Sequence, residues 1–202
     1  LACAYHLARM GHRVEIRDAA EEPGGMMTCG IPAYRLPREP LRREVARITA
    51  MPGITLTCGH RVEDVAGEMR TGGFDAVFVG TGAGLPKFMN IPGENLVGVF
   101  SANEYLTRAN LMKAYEVGKA ATPLYPSRRV AVLGGGNVAM DSARMALRLG
   151  AEEVRVLYRR TREEMPARGE EVVHAMEEGI NFDFLASPTQ VLWKKAPTST
   201  RA

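Results

Sequence analysis

The sequence predicts an α/β fold of two three-layer units, each built on a parallel sheet, and three observations carry that prediction. Apolar runs of strand length recur over residues 14–18, 54–58, 74–79, 130–133 and 154–158, with helical stretches between them. Two of these runs lead directly into glycine turns, Gly80-Thr81-Gly82-Ala83-Gly84 and Gly134-Gly135-Gly136. The helical stretch after the second turn stops at Gly150, just before the next strand, which is the order of a βαβ unit.

Composition narrows the partners. The chain has 202 residues, 46% hydrophobic and 24% charged, enough for a packed core in two small domains. Its 26 basic residues are scattered and the net charge is only +3, so no continuous basic face offers itself to nucleic acid. No apolar run reaches the length of a membrane span, and no secretory leader is visible. Cys3, Cys29 and Cys58 are too far apart for a disulfide framework or a metal-ligand motif, and point to a reducing cytoplasm.

The C-terminal unit carries the sharpest chemistry. Its strand at 130–133 enters Gly134-Gly135-Gly136-Asn137-Val138-Ala139, which fits G-x-G-x-x-A. Backbone N–H groups at a helix start, with the helix dipole behind them, suit a pyrophosphate. The first glycine permits the turn, the second lets a ligand approach, and the small Ala139 allows helix and strand to pack closely. After the second strand, an NAD site would place an acid for the ribose 2′-hydroxyl. Arg159 and Arg160 stand there instead, and a guanidinium suits a 2′-phosphate. These residues predict NADP(H); the alternative is a solvated arginine pair on a glycine-cornered βαβ unit. Val138, Ser142, Met145 and Leu149 follow helical spacing and are expected in the core, with Asp141 complementing or capping the first turn.

The N-terminal unit opens inside a helix. Leu1, Ala4, Tyr5, Ala8 and Met10 keep an apolar face, and Gly11 ends it. A helix at residue one followed by a strand implies a strand and turn before it, and residues 193–202 have no core-forming period. The sequence therefore reads as a piece of a longer chain. Asp18, at the carboxyl end of the 14–18 strand, is placed to bond a ribose or to serve as a turn residue or helix cap. Pro23-Gly24-Gly25, Gly30-Ile31-Pro32 and Arg35-Leu36-Pro37 follow, a run that admits a flat ring or phosphate to the backbone or forms a loop without a ligand. A charged helix is expected over 39–50, burying Leu41, Val45 and Ile48 and solvating Arg42, Arg43 and Arg47. His6, His12, His60 and His174 show no partner pattern and read as surface or packing residues.

These motifs, in this order, carry a family resemblance. With them go Leu85-Pro86-Lys87, Ile91-Pro92-Gly93-Glu94, the 101–108 stretch, and Tyr158-Arg159-Arg160 followed by Glu164-Met165-Pro166-Ala167. Over roughly residues 1–190 the chain resembles the small chain (beta subunit) of NADPH-dependent glutamate synthase. It is similar also to the N-terminal flavin part of dihydropyrimidine dehydrogenase, and to the flavoprotein subunit of bifurcating ferredoxin:NADP oxidoreductases and sulfide dehydrogenases. The resemblance implies two Rossmann-like dinucleotide-binding domains, an NADPH domain inserted into an FAD domain, both incomplete over this sequence. Residues 1–98 would be the first part of the FAD domain, 99–127 a connecting helix and linker, and 128–202 the NADPH domain.

The resemblance further implies FAD along the first unit. Asp18 would meet the adenosine ribose, Gly24, Gly25 and Met26 would line the ligand, and Arg35 would stand near the flavin. Val62 would touch the adenine through its backbone, and Thr81-Gly82 would close over the cofactor. In the second unit Gly134, Gly135, Gly136, Asn137, Val138 and Ala139 would hold the NADPH pyrophosphate, with Arg159 and Arg160 on the 2′-phosphate. The implied activity is hydride transfer between NADPH and FAD, with electrons passing on to iron–sulfur centres. That step needs no acid–base dyad, so no catalytic side chain is expected. The clusters would lie in other regions or in a partner, since Cys3, Cys29 and Cys58 lack cluster spacing. The expected partners are the glutamate synthase large subunit, another electron-transfer subunit or ferredoxin, with neither nucleic acid nor membrane. Asp18 stands where the family more often has Glu, and the family's first FAD strand and glycine turn, and its C-terminal return segment, are not in the sequence. The competing readings are a non-catalytic NADP(H)-binding or interaction module and an inactive fragment. Two local expectations complete the analysis: a capping box at Thr161-Arg162-Glu163-Glu164, and a helix from Pro166 to a stop at Gly179.

Overall fold

The computed structural model describes residues 1–116, 118–124 and 127–193. The chain divides into two compact units, Leu1–Gly84 with Asn110–Lys113, and Leu85–Ala109 with Ala114–Ala202.

In the first unit, α1 (Ala2–Arg9) leads through Gly11, at φ +90°, to β1 (Val14–Arg17). A short helix α2 (Met26–Cys29) and a long one, α3 (Arg38–Thr49), precede β2 (Ile54–Thr57), which pairs with β1 in parallel with Val14 opposite Ile54. Ala4, Ile48 and Ile54 form a small core, with Leu1, Tyr5, Ala8, Val14, Ile16 and Met51 around it. The exposed face of α3 is ion-paired: Arg47 meets Glu44 at 2.5 Å and Arg43 meets Glu39 at 3.9 Å. Helix α4 (Val65–Gly72) has no counterpart in the sequence reading, although its signals are present. The Asp64 carboxylate accepts from the Gly67 N–H, and Gly73 closes the helix in the left-handed region. His60, read as partnerless, lies 3.6 Å from Glu68, which also pairs with Arg17.

One expected strand is absent. Residues 74–79 form no strand, and Val77, Phe78 and Val79 are 44, 72 and 62% exposed. An extended run needs a neighbour to satisfy its backbone donors and acceptors. Among the described residues β1 pairs only with β2, and no strand stands beside the 74–79 run.

In the second unit, α5 (Ala102–Asn110) buries Leu106 and Ala109. Strand β3 (Arg129–Leu133), helix α6 (Asn137–Arg148) and strand β4 (Glu153–Tyr158) make the expected βαβ unit, and β5 (Asn181–Phe184) extends the sheet in the parallel order β3-β4-β5. Val154, Val156 and Tyr158 alternate inward along β4, where α6 and α7 (Gly169–Glu177) cover them. On the opposite face, Arg155 is tied to Glu153 and Asp183.

Two helix expectations need correction. Ser142 and Met145 are buried as expected, with Ala139, Met140, Ala143 and Ala146 beside them, whereas Leu149 is only half-buried and Val138 is 41% exposed. Small residues face the sheet because helix and strand approach closely there, and the first turn leaves Val138 at the rim. Asp141 is buried at 4% exposure and lies beyond the first turn, so it does not cap the helix. Helix α7 begins at Gly169, three residues after Pro166, because the backbone before it is bonded to the glycine turn instead. The capping box at Thr161 is present, on a 3₁₀ turn of Arg162–Glu164.

Candidate dinucleotide-binding site

The glycine turn of the second unit is a shaped surface. Gly134 takes φ +136°, a conformation side chains disfavour, and its N–H donates to the Leu157 carbonyl at 3.0 Å, fixing the turn to β4. A Cβ on Gly135 would sit 2.6 Å from the Tyr158 ring, so the ring makes glycine obligatory there. A Cβ on Gly136 would meet nothing within 4 Å, which marks the open side of the turn. Gly136 is the N-cap of α6, and no side chain caps it. The Ala139 and Met140 N–H groups donate to the Gly136 carbonyl, and the N–H groups of Asn137 and Val138 at the start of this 12-residue helix have no described partner, the arrangement that receives an anion. Ala139 packs close behind, its Cβ 3.7 Å from the Cβ position of Gly134.

Arg159 and Arg160 follow β4 directly, both exposed, and no described ion pair holds either guanidinium. Arg155, four residues before Arg159, is occupied by Glu153 and Asp183. Arg159 and Arg160 are thus unpaired among the described residues, just past the carboxyl end of β4.

The segment behind this turn contains Glu164-Met165-Pro166-Ala167, a motif that carried the resemblance without a role in the site. The Tyr158 hydroxyl donates to the Glu164 carbonyl at 2.8 Å, the Ala167 N–H to the Gly135 carbonyl at 3.0 Å, and the Arg168 N–H to Asn137 Oδ1 at 2.9 Å. Asn137 thus has its side-chain carbonyl turned to the protein. Beyond that motif the local signal is Pro166, which holds the residue before it in extended backbone.

The flavin-side residues of the first unit sit mainly on loops. Asp18 directly follows β1, and one carboxylate oxygen accepts from the Ala20 N–H at 3.0 Å, the turn role foreseen for it. Its backbone carbonyl accepts from His60, so residues 18–20 and 59–60 run together at the carboxyl end of the β1–β2 pair, with Val62 two residues beyond. Gly24 is at φ +120°, and a Cβ there would lie 2.2 Å from Thr28 Oγ1. Gly25, at φ +54°, caps α2, which Met26 begins. Arg35 is half-buried in the turn after Pro32. Thr81 and Gly82 are exposed in a stretch that forms no strand, and no described hydrogen bond joins them to the others.

Arg38, another residue absent from the sequence reading, wires this loop together. Its guanidinium donates to the carbonyls of Met27 and Ile31 at 2.7 Å each, and to Leu36 at 3.2 Å. Burial pulls its pKa below the ordinary arginine value. A cavity of about 350 Å³ lies between this loop, α3 and β2, lined by apolar Pro23, Leu41, Val45, Ala46 and Leu56 and by polar Glu22, Thr28, Arg38, Arg42 and Thr49. Among the described residues no cluster of His, Cys, Asp or Glu could hold a metal, and no helix is long and apolar enough to cross a membrane.

A family model for pyridine nucleotide-disulphide oxidoreductases matches residues 1–196. The chain belongs to this family. The oxidoreductase chain is 41% identical over 198 residues to the NADP(+)-dependent formate dehydrogenase subunit beta of Moorella thermoacetica, covering 96% of this chain and 27% of that protein. It is 37% identical to the glutamate synthase [NADPH] small chain of Halomonas elongata, covering 95% of this chain and 41% of the relative. It therefore spans less than half the length of these curated relatives. Among solved structures, FprA from Mycobacterium tuberculosis in complex with NADPH superposes with a TM-score of 0.77 at 18% identity, over 96% of this chain and 58% of that one. That likeness speaks for the α/β fold with parallel sheets shared by this family.

Proposed function

We propose that this oxidoreductase chain is part of an NADPH-dependent flavoprotein subunit, a module that passes hydride between NADPH and FAD. The observation that carries the reading is the uncapped helix start at Gly136, together with Arg159 and Arg160 directly after β4 with no described acid to occupy them. In this reading the backbone of Gly134 to Ala139 receives the pyrophosphate, and the two arginines bond the 2′-phosphate. Asp18, Gly24, Gly25, Met26, Arg35, Val62, Thr81 and Gly82 line the FAD side, within a division of 1–98 for FAD, 99–127 for the connection and 128–202 for NADPH. When bound, the two cofactors supply the hydride chemistry; the protein binds, orients and excludes water. Relatives named as small or beta subunits support a partner subunit, and we assign to it, or to further domains, the iron–sulfur centres that take the electrons onward. Ferredoxin or a glutamate synthase large subunit fits that role, in the cytoplasm.

The test is a titration of the chain with NADPH and NADH, followed by nicotinamide fluorescence, beside an Arg159→Ala/Arg160→Ala double variant. NADPH should bind roughly tenfold or more tightly than NADH, and the double variant should erase the difference. Equal affinities in the unmodified chain would overturn the 2′-phosphate assignment. Flavin absorbance in the purified chain distinguishes a flavoprotein from a bare NADP(H)-binding module.

A further inference from the structure

We propose that the 164–168 segment is a positioning element for the dinucleotide pyrophosphate, with Asn137 as its positioning residue on the glycine turn; this rests on the reading that the turn binds a dinucleotide. Three hydrogen bonds join the segment to the turn and its backing. Tyr158 Oη donates to the Glu164 carbonyl, the Ala167 N–H to the Gly135 carbonyl, and the Arg168 N–H to Asn137 Oδ1, at 2.8, 3.0 and 2.9 Å. The bond to Gly135 fixes the orientation of the peptide that follows it, so the N–H of Gly136 is held in one direction. The bond to Asn137 anchors the first residue of α6 from outside the helix, where no side-chain cap does so. Tyr158 adds a rigid floor, since its buried ring stands against Gly135 while its hydroxyl holds the segment.

Each peptide of a glycine-rich turn has wide conformational freedom, and a pyrophosphate must order it on binding. A segment that has already fixed the turn removes that cost, which is preorganisation. The effect falls on the pyrophosphate alone. Arg159 and Arg160 lie at the end of β4, outside the three bonds, so recognition of the 2′-phosphate is independent of the segment.

Arg168 offers a clean way to remove one bond. Its φ of −60° is the value proline adopts, so Arg168→Pro deletes the N–H without forcing the backbone at that residue. Arg168→Ala removes the same side chain and keeps the N–H. Both variants and Tyr158→Phe are titrated with NADP⁺, which carries a pyrophosphate, and with 2′-AMP, which does not. Arg168→Pro should bind NADP⁺ about fivefold more weakly than Arg168→Ala, the order of one hydrogen bond, with 2′-AMP affinity equal in the two. Tyr158→Phe should show the same selective loss. Equal NADP⁺ affinity in Arg168→Pro and Arg168→Ala, or a parallel loss of 2′-AMP binding, overturns the proposal while leaving the dinucleotide reading intact. An unmodified chain that bound neither probe would overturn both.

Discussion

Among the described residues, the second unit gathers eleven buried residues around β3, β4 and β5, whereas the first gathers three around β1 and β2. The contrast is reflected in the two sets of candidate ligand groups. The glycine turn of the second unit rises from a filled three-stranded sheet and is braced from behind by Tyr158 and residues 164–168. The flavin-side residues hang from loops whose order depends on a few side-chain bonds, chiefly those of Arg38. A dinucleotide turn is built by the core beneath it as much as by its glycines, and one unit has that core while the other shows only part of one.

The largest test of this difference is truncation in the two cores. Met140 is fully buried, and Met140→Ala should cost about 2–5 kcal/mol, read by urea unfolding with hydrogen exchange of the α6 amides. Ile54→Ala, in the small core, should cost roughly half as much because that site can collapse toward its exposed surroundings. Equal losses would erase the contrast.

Next comes the ion-pair network that clamps α6 to α7. Arg144, 9% exposed, meets Glu171 at 3.0 Å and Glu178 at 2.7 Å, and Arg148 also reaches Glu178. Burial alone would raise the Glu178 pKa, but the hydrogen bonds from Arg144 and Arg148 outweigh it and hold the carboxyl below its ordinary value. A depressed folded pKa means the stabilisation is present above the ordinary carboxylate range and is lost as pH falls through the folded value. Arg144→Met should cost about 3 kcal/mol at neutral pH. The variant should also lose less stability than the parent on acidification, which a pair of unfolding series from pH 7 to pH 3 would check.

A smaller effect on stability, but a decisive one on binding, is expected at the turn. Gly135→Ala drives a methyl into the Tyr158 ring and should cost about 1–3 kcal/mol, with NADPH titration showing little or no binding. Normal NADPH binding by a folded variant would show that the ring does not dictate the turn.

Much of this was legible from sequence, and the exceptions have physical causes. The G-x-G-x-x-A pattern, flanking strands and the glycine stop at Gly150 are local signals, and α6 sits where they place it. Helix α4 has equally local signals in Asp64 and Gly73, but lacks a strong apolar stripe to mark its body. The Ala167–Gly135 and Arg168–Asn137 bonds join residues about thirty positions apart, and no period or propensity encodes such pairings. The start of α7 departs from expectation for the same reason: Pro166 suits a first helical position, and only the tertiary bonds reserve that backbone for the turn.

The 74–79 run gives the smallest expected effect and the strictest check on the comparison. Its composition is that of a buried strand, and sequence alone reads it as one. A strand is a property of a pair, however, and the β1–β2 sheet offers this run no neighbour among the described residues. Phe78, 72% exposed, therefore contributes little in this chain. Phe78→Ser should change unfolding stability by no more than about 0.5 kcal/mol, while lowering light scattering at high concentration because an exposed apolar segment is removed. A loss of several kcal/mol would mean that the run is paired and buried in solution. The first unit would then have a larger core than its described residues form, and the contrast with the second would shrink accordingly.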